Sequence, residues 1–193
     1  METDFKKRTL LTLGAITIFQ DYMFDGINGK EYTNEKYDTG LFKRNISDIE
    51  KVIIHCTATD SERWENPMAL IGYDLNPNHI SKNGCPYATY HFYINKLGNI
   101  YQLVSMNYKC WHCTDQNKYS VAICINHGGK IENVTEAQYH GLKCAIFYVF
   151  NFMEWEMTER SLRYRLYFHR FFANKFCPGF LDYETLIKDL KID

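Results

Sequence analysis

Two stretches far apart in the chain hold the side chains best suited to making and breaking bonds. Residues 52–60, VIIHCTATD, carry His55, and residues 169–180, HRFFANKFCPGF, carry His169, Lys175 and Cys177. Two imidazoles and one thiolate are a recognised donor set for a catalytic zinc that keeps a fourth position open. The thiolate cancels one of the two positive charges, which leaves a centre cationic enough to polarise a carbonyl and acidify a water. Lys175, two residues before Cys177, falls at the rim of such a site, where an ammonium faces an oxyanion. Tyr90 is a candidate to move a proton near the same carbonyl. The His-x7-Cys spacing is not specific. A strand histidine taken alone reads more often as a hydrogen-bonded structural residue.

The elements that must position these groups are short strands. Val52, Ile53 and Ile54 form a β-branched run leading into small polar residues, which reads as a buried strand with His55 and Thr57 on one face and Ile54 and Cys56 on the other. Residues 163–169, RYRLYFH, alternate in the same way and are expected to deliver His169 from the end of a second strand. Residues 87–103 read as a hairpin around Lys96-Leu97-Gly98-Asn99, with Tyr90 and His91 on opposite faces. Residues 120–126 read as another buried strand. Thr135 and Gln138 form a capping box before a long amphipathic helix whose stripe is Tyr139, Leu142, Ile146, Val149 and Met153, with His140 off the stripe and solvated. A closing helix over 182–192 is capped by Asp182. Residues 60–86, with Asn-Pro twice and Asn-Gly once, read as a long loop walling the site. Strands separated by helices predict an α/β fold: a single domain with a central mixed β-sheet flanked by helices, plus an N-terminal helical extension.

The chain's 193 residues, 46% hydrophobic and 16% aromatic, suffice for one well-packed domain. A net charge of −1 gives no electrostatic footprint for nucleic acid or an anionic membrane. Seven cysteines in no even ladder argue against a disulfide framework. Cys56 and Cys124 read as small core hydrophobes. Cys110 and Cys113 form a CxxC with no second pair to complete a four-cysteine zinc site, so they read as free thiols beside a cleft or as one local disulfide. Residues 6–19, KKRTLLTLGAITIF, have the look of a signal's basic and apolar regions, but Glu2 and Asp4 precede them and no small-residue cleavage site follows. They are too short to span a bilayer, and the expectation is an ordered helix packed on the domain, with a signal or anchor as the alternative. No transmembrane segment is expected.

Four pieces in order resemble the type-2 N-acetylmuramoyl-L-alanine amidases, which include phage lysozyme-type amidases and peptidoglycan recognition proteins. They are VIIHCTATD, YATYHFYINKLGNIYQL, CWHCTDQNKYSVAICINHGG and HRFFANKFCPGF, together covering roughly residues 50–182. The resemblance implies zinc ligands at His55, His169 and Cys177, a catalytic tyrosine at Tyr90 and a catalytic lysine at Lys175. It implies a histidine lining the substrate groove at His112. The chain departs from the pattern at residues 64–86, which lack the usual Trp- and His-rich helix, in the CxxC around His112, and in residues 1–48, which have no counterpart. The implied division is an extension over 1–48 and a zinc amidase domain over 49–193. The implied reaction is hydrolysis of the amide between the lactyl group of N-acetylmuramic acid and L-alanine in bacterial peptidoglycan, by a monomer acting at the cell wall, as a phage endolysin does. The alternative the resemblance carries is a non-catalytic protein that only recognises peptidoglycan. Some phage-type relatives also bind a regulatory protein partner.

Overall fold

The computed structural model describes residues 18–19, 33–128, 134–179 and 181–192. Its frame is a six-stranded sheet in the order β1-β4-β3-β5-β2-β6. The strands are β1 (Ile18–Phe19), β2 (Lys51–Cys56), β3 (Phe92–Ile94), β4 (Ile100–Gln102), β5 (Ser120–Ile125) and β6 (Leu166–Phe168). Only β3 and β4 pair antiparallel, and the other neighbours are parallel, so the sheet is mixed as expected. Parallel strands buried on both faces need continuous apolar sequence rather than alternation. The run Val52-Ile53-Ile54 and the fully buried β5 meet that need.

Helices α1 (Pro67–Leu75), α2 (Glu136–Phe152), α3 (Glu159–Arg165) and α4 (Tyr183–Leu190) complete the layers. Thr135 caps α2 by accepting the Gln138 N–H at 3.0 Å, and Asp182 caps α4 by accepting the Thr185 N–H at 2.7 Å. Leu142, Ala145, Ile146, Val149 and Phe150 of α2 are fully buried in one core with Val52, Ile54, Leu162, Leu166, Leu186 and Ile187. Each large side chain buried there contributes about 1.5–3 kcal/mol. The hairpin closes through Gly98, whose φ of +81° favours glycine and whose Cβ would fall 2.4 Å from the Ala137 carbonyl oxygen of α2. A second core, with Leu70, Ile71, Tyr87, Tyr93, Leu103 and Cys124, lies under α1.

Three expectations are revised. Residues 67–75 are helix, not loop: Asn66 accepts the Met68 N–H at 2.9 Å as N-cap and Pro67 opens the first turn. Asn-Pro marks a helix start here because proline's fixed φ and missing N–H cost nothing at that position. Residues 163–165 end helix α3 rather than begin a strand, and Tyr164 is exposed, so β6 holds only three residues. The expected N-terminal helix lies outside the described residues except for its last two, which form β1.

Residues 34–48 are fastened to the domain. The Asn34 N–H donates to the Pro86 carbonyl at 2.8 Å, Tyr37 Oη to that of Gly84 at 2.9 Å, and Lys43 bridges antiparallel to Tyr108. Among the described residues no helix is long and apolar enough to cross a membrane.

Candidate metal centre

Strands β2 and β6 run parallel with Ile54 opposite Phe168, so His55 and the residue after β6, His169, lie side by side at their carboxyl ends. The carboxyl ends of parallel strands are where open α/β sheets present ligand groups. The two imidazole rings are 4.4 Å apart between centroids. The chain turns after His169 and returns at Cys177, whose carbonyl accepts the Arg170 N–H at 2.9 Å. Arg170 also clamps the far side of this return, its guanidinium donating to the carbonyls of Gly179 and of Leu181, the latter at 2.8 Å. The result is that one donor atom from each of His55, His169 and Cys177 lies within 4.8 Å of the others. His55 Nδ1 is 3.9 Å from Cys177 Sγ. Zinc–nitrogen and zinc–sulfur bonds of about 2.05 and 2.3 Å at a tetrahedral angle place the two atoms about 3.6 Å apart. The His55–Cys177 pair is thus close to zinc spacing, and the three donor types and their convergence suit that ion.

The electrostatics also suit a cation. Burial first, then the nearby His112, His169 and Lys175, pushes the His55 pKa well below its ordinary value, so the ring is neutral. Burial and Lys175 do the same to His169, less strongly. A neutral imidazole offers the lone pair a metal needs. Its hydrogen bond with the Cys56 thiol and burial push the Cys177 thiol up, while the Cys56 N–H, 3.3 Å from Cys177 Sγ, works the other way. A thiolate at Cys177 thus calls for a positive charge beside it. Cys56 lies in the core as expected, and there its Sγ stands 4.0 Å from Cys177 Sγ.

Tyr90 packs its ring on His55, 5.2 Å between centroids, and is partly exposed. Desolvation, then the thiols and carboxylate around it, holds its phenol pKa well above the ordinary range. His91 is buried, with Nδ1 accepting the Ala122 N–H at 2.9 Å and its ring 6.2 Å from that of His112 between centroids. Lys175 is exposed on the loop between the two ligands that end it, and its charge acts on His55, His169 and Cys113.

His112 comes from the loop between β4 and β5 and is buried, with Nδ1 3.0 Å from His55 Nε2 and Nε2 3.1 Å from Ser120 Oγ. Asn117 Oδ1 pins this loop by accepting the N–H groups of His112 and Cys113 at 3.0 and 2.7 Å. All seven cysteines, including Cys110 and Cys113, are free thiols.

Arg44 anchors the same loop from outside it. Its buried guanidinium donates to the carbonyls of Met106, Asn117, Lys118 and Ser120 at 2.8–3.0 Å. Burial lowers its pKa to about 10, which leaves it charged at neutral pH. Arg44, Ser120, Asn117 and Arg170 were not among the residues the sequence singled out.

With this geometry in hand, residues 45–180 match the family model described as N-acetylmuramoyl-L-alanine amidase. The chain belongs to that family. No curated protein matches it. Among solved structures, the N-acetylmuramoyl-L-alanine amidase LysC from Clostridium intestinale URNW superposes with a TM-score of 0.56 at 21% identity, over 74% of this chain and 84% of that one. The Ph2119 endolysin from the Thermus scotoductus MAT2119 bacteriophage gives 0.58 at 15%, over 82% and 96%. PGRP-SA of Apis mellifera gives 0.59 at 19%, over 75% and 84%. At such identities these likenesses establish the fold: one sheet-and-helix domain shared by lytic and recognition proteins.

Proposed function

We propose that this chain is a zinc-dependent N-acetylmuramoyl-L-alanine amidase that cleaves the lactyl–L-alanine amide of bacterial peptidoglycan, in the manner of an endolysin. The observation that carries the reading is the convergence of His55, His169 and Cys177 donor atoms within 4.8 Å, with Tyr90 packed on His55. Family membership supports the substrate class.

In this reading His55, His169 and Cys177 hold the ion, which when bound supplies Lewis acidity toward the amide carbonyl and an acidified water. Tyr90, like any phenol, holds its proton at neutral pH, and desolvation strengthens that hold, so it is suited to donate a hydrogen bond to the oxyanion or a proton to the departing amine. The Lys175 ammonium stands at the open rim and stabilises negative charge developing on the carbonyl oxygen. The exposed Lys175 and the partly exposed Tyr90 mark the side on which the glycopeptide would approach.

The test is digestion of purified peptidoglycan, with and without a zinc chelator, followed by mass spectrometry of the new ends. Free L-alanine amino termini that appear only in the zinc-loaded sample are the expected result. Binding to insoluble peptidoglycan without cleavage, across several stem-peptide types, would replace this reading with recognition alone.

A further inference from the structure

A chain of three hydrogen bonds runs from the proposed ligand His55 into the protein. His55 Nε2 is 3.0 Å from His112 Nδ1, His112 Nε2 is 3.1 Å from Ser120 Oγ, and Ser120 Oγ is 2.6 Å from the Gln116 carbonyl oxygen. All three side chains are buried, Ser120 completely.

The direction of the chain follows from its last member. A carbonyl oxygen only accepts, so Ser120 gives its single hydroxyl proton to Gln116. Toward His112 the hydroxyl is then an acceptor, and His112 must carry a proton on Nε2. A neutral imidazole with a proton on Nε2 has its lone pair on Nδ1. The His55–His112 contact therefore requires His55 to donate from Nε2. What is left on His55 is an Nδ1 lone pair, on the side facing Cys177 Sγ. Run in the opposite sense, the same chain would put a proton on His55 Nδ1 and block metal binding there.

The geometry points to His112 and Ser120 as positioning residues that fix the tautomer of His55, so that Nδ1 is the ligand atom before any metal arrives. Carboxylates and main-chain carbonyls commonly do this for metal-binding histidines. Here a second imidazole does it, with its own tautomer set by a serine and a main-chain carbonyl. Asn117 serves the same end, because its side-chain oxygen holds the His112 and Cys113 amides and so aims the ring. This assignment gives His112 a role behind the metal rather than against substrate, and it rests on the zinc reading above.

The decisive measurement is the tautomeric state of His55 and His112 in the metal-free parent, read from two-bond 1H–15N correlations of labelled imidazoles. Both rings should be neutral with the proton on Nε2. A His55 ring carrying its proton on Nδ1 would overturn the inference without any variant being made. Two substitutions then separate hydrogen bonding from packing. His112→Asn places an amide oxygen near the position of Nδ1 and should keep zinc affinity within a few-fold of the parent, by competition with a chromophoric chelator. His112→Leu has a comparable size but no acceptor and should weaken zinc by about 10- to 100-fold. Equal zinc affinity in the two variants overturns the inference. A parent that binds no zinc overturns the function proposed above, while the imidazole spectra still decide this inference by themselves.

Discussion

Replacing Asp74 by asparagine should flatten one component of the protein's stability against pH, by an amount set by burial. Asp74 lies on α1 and is almost completely buried. Its Oδ2 accepts both the N–H of Thr89 at 2.8 Å and its hydroxyl at 2.9 Å, which fixes the backbone immediately before Tyr90. Burial raises its pKa from 3.8 to about 7, with the two Thr89 bonds opposing the rise. The folded carboxyl thus holds its proton more tightly than the unfolded one. A raised folded pKa contributes stability that is fully present below about pH 4 and is lost as pH rises toward 7. The difference of about 3 units corresponds to ~4 kcal/mol across the whole window, at 1.36 kcal/mol per unit.

Asparagine copies the protonated carboxyl in shape and keeps an oxygen for Thr89, but does not titrate. Urea denaturation of parent and Asp74→Asn at pH 5, 6, 7 and 8, with the same chelator throughout, cancels in the difference the titrating groups that do not interact with Asp74. The stability of the variant relative to the parent should climb by about 2–3 kcal/mol between pH 5 and 7 and level off above. His79 Nε2 stands 3.7 Å from Asp74 Oδ1 and takes up a proton in the acid part of the window, so the pair of proteins is also compared in a His79→Gln background. A relative stability that stays constant within ~0.5 kcal/mol, or falls with pH, would refute the claim that desolvation governs Asp74.

Three further outcomes follow from the site. Cys177→Ser, nearly isosteric but without a thiolate, should lose zinc and hydrolysis while still binding insoluble peptidoglycan; digestion at the parent rate would refute the metal assignment. Tyr90→Phe and Lys175→Ala should keep zinc, measured by metal analysis, and lose roughly 10²-fold or more in rate; loss of zinc from either would show that the roles are misassigned. Arg44→Ala leaves the carbonyls of Met106, Asn117, Lys118 and Ser120 short of a donor in a buried place. It should cost on the order of 3–5 kcal/mol by denaturation, so deletion of residues 1–48 is expected to destabilise the domain; an unchanged midpoint would refute this.

How much of this was legible in the sequence depended on the range over which each side chain finds its partners. The strand carrying His55 could be placed because a short apolar β-branched run leading into small polar residues reads as a buried strand, while the use of His55 itself became legible only beside His169 and Cys177. The cap at Thr135 and the stripe behind it were legible for the same reason, since cap and stripe are set by neighbours three and four residues away. Asn66-Pro67 failed because the same dipeptide starts helices and makes turns, and only the packing of Leu70 and Ile71 into the second core decides between them. Residues 163–168 failed because alternation over so few residues fits the end of a helix as well as a strand.

The supporting shell around the ligands was illegible in a different way. Arg44 gives no local signal, because the groups it satisfies are main-chain carbonyls 62–76 residues away that any sequence would supply. Ser120 reads as an ordinary strand residue until the loop carrying His112 folds over it. Cys56 looks interior by alternation and is so, but it shares that interior with Cys177, 121 residues later. The donor set can therefore be inferred from residue types, whereas what selects the ligand atom on His55 depends on contacts that exist only after β2, β5 and the loop before β5 are assembled. On the zinc reading proposed above, a substitution in that shell would leave the recognisable motif intact and still change the affinity for zinc. On that reading His55, His169 and Cys177 would supply the donors, and the orientation imposed through His112 and Ser120 would select which His55 nitrogen faces the ion.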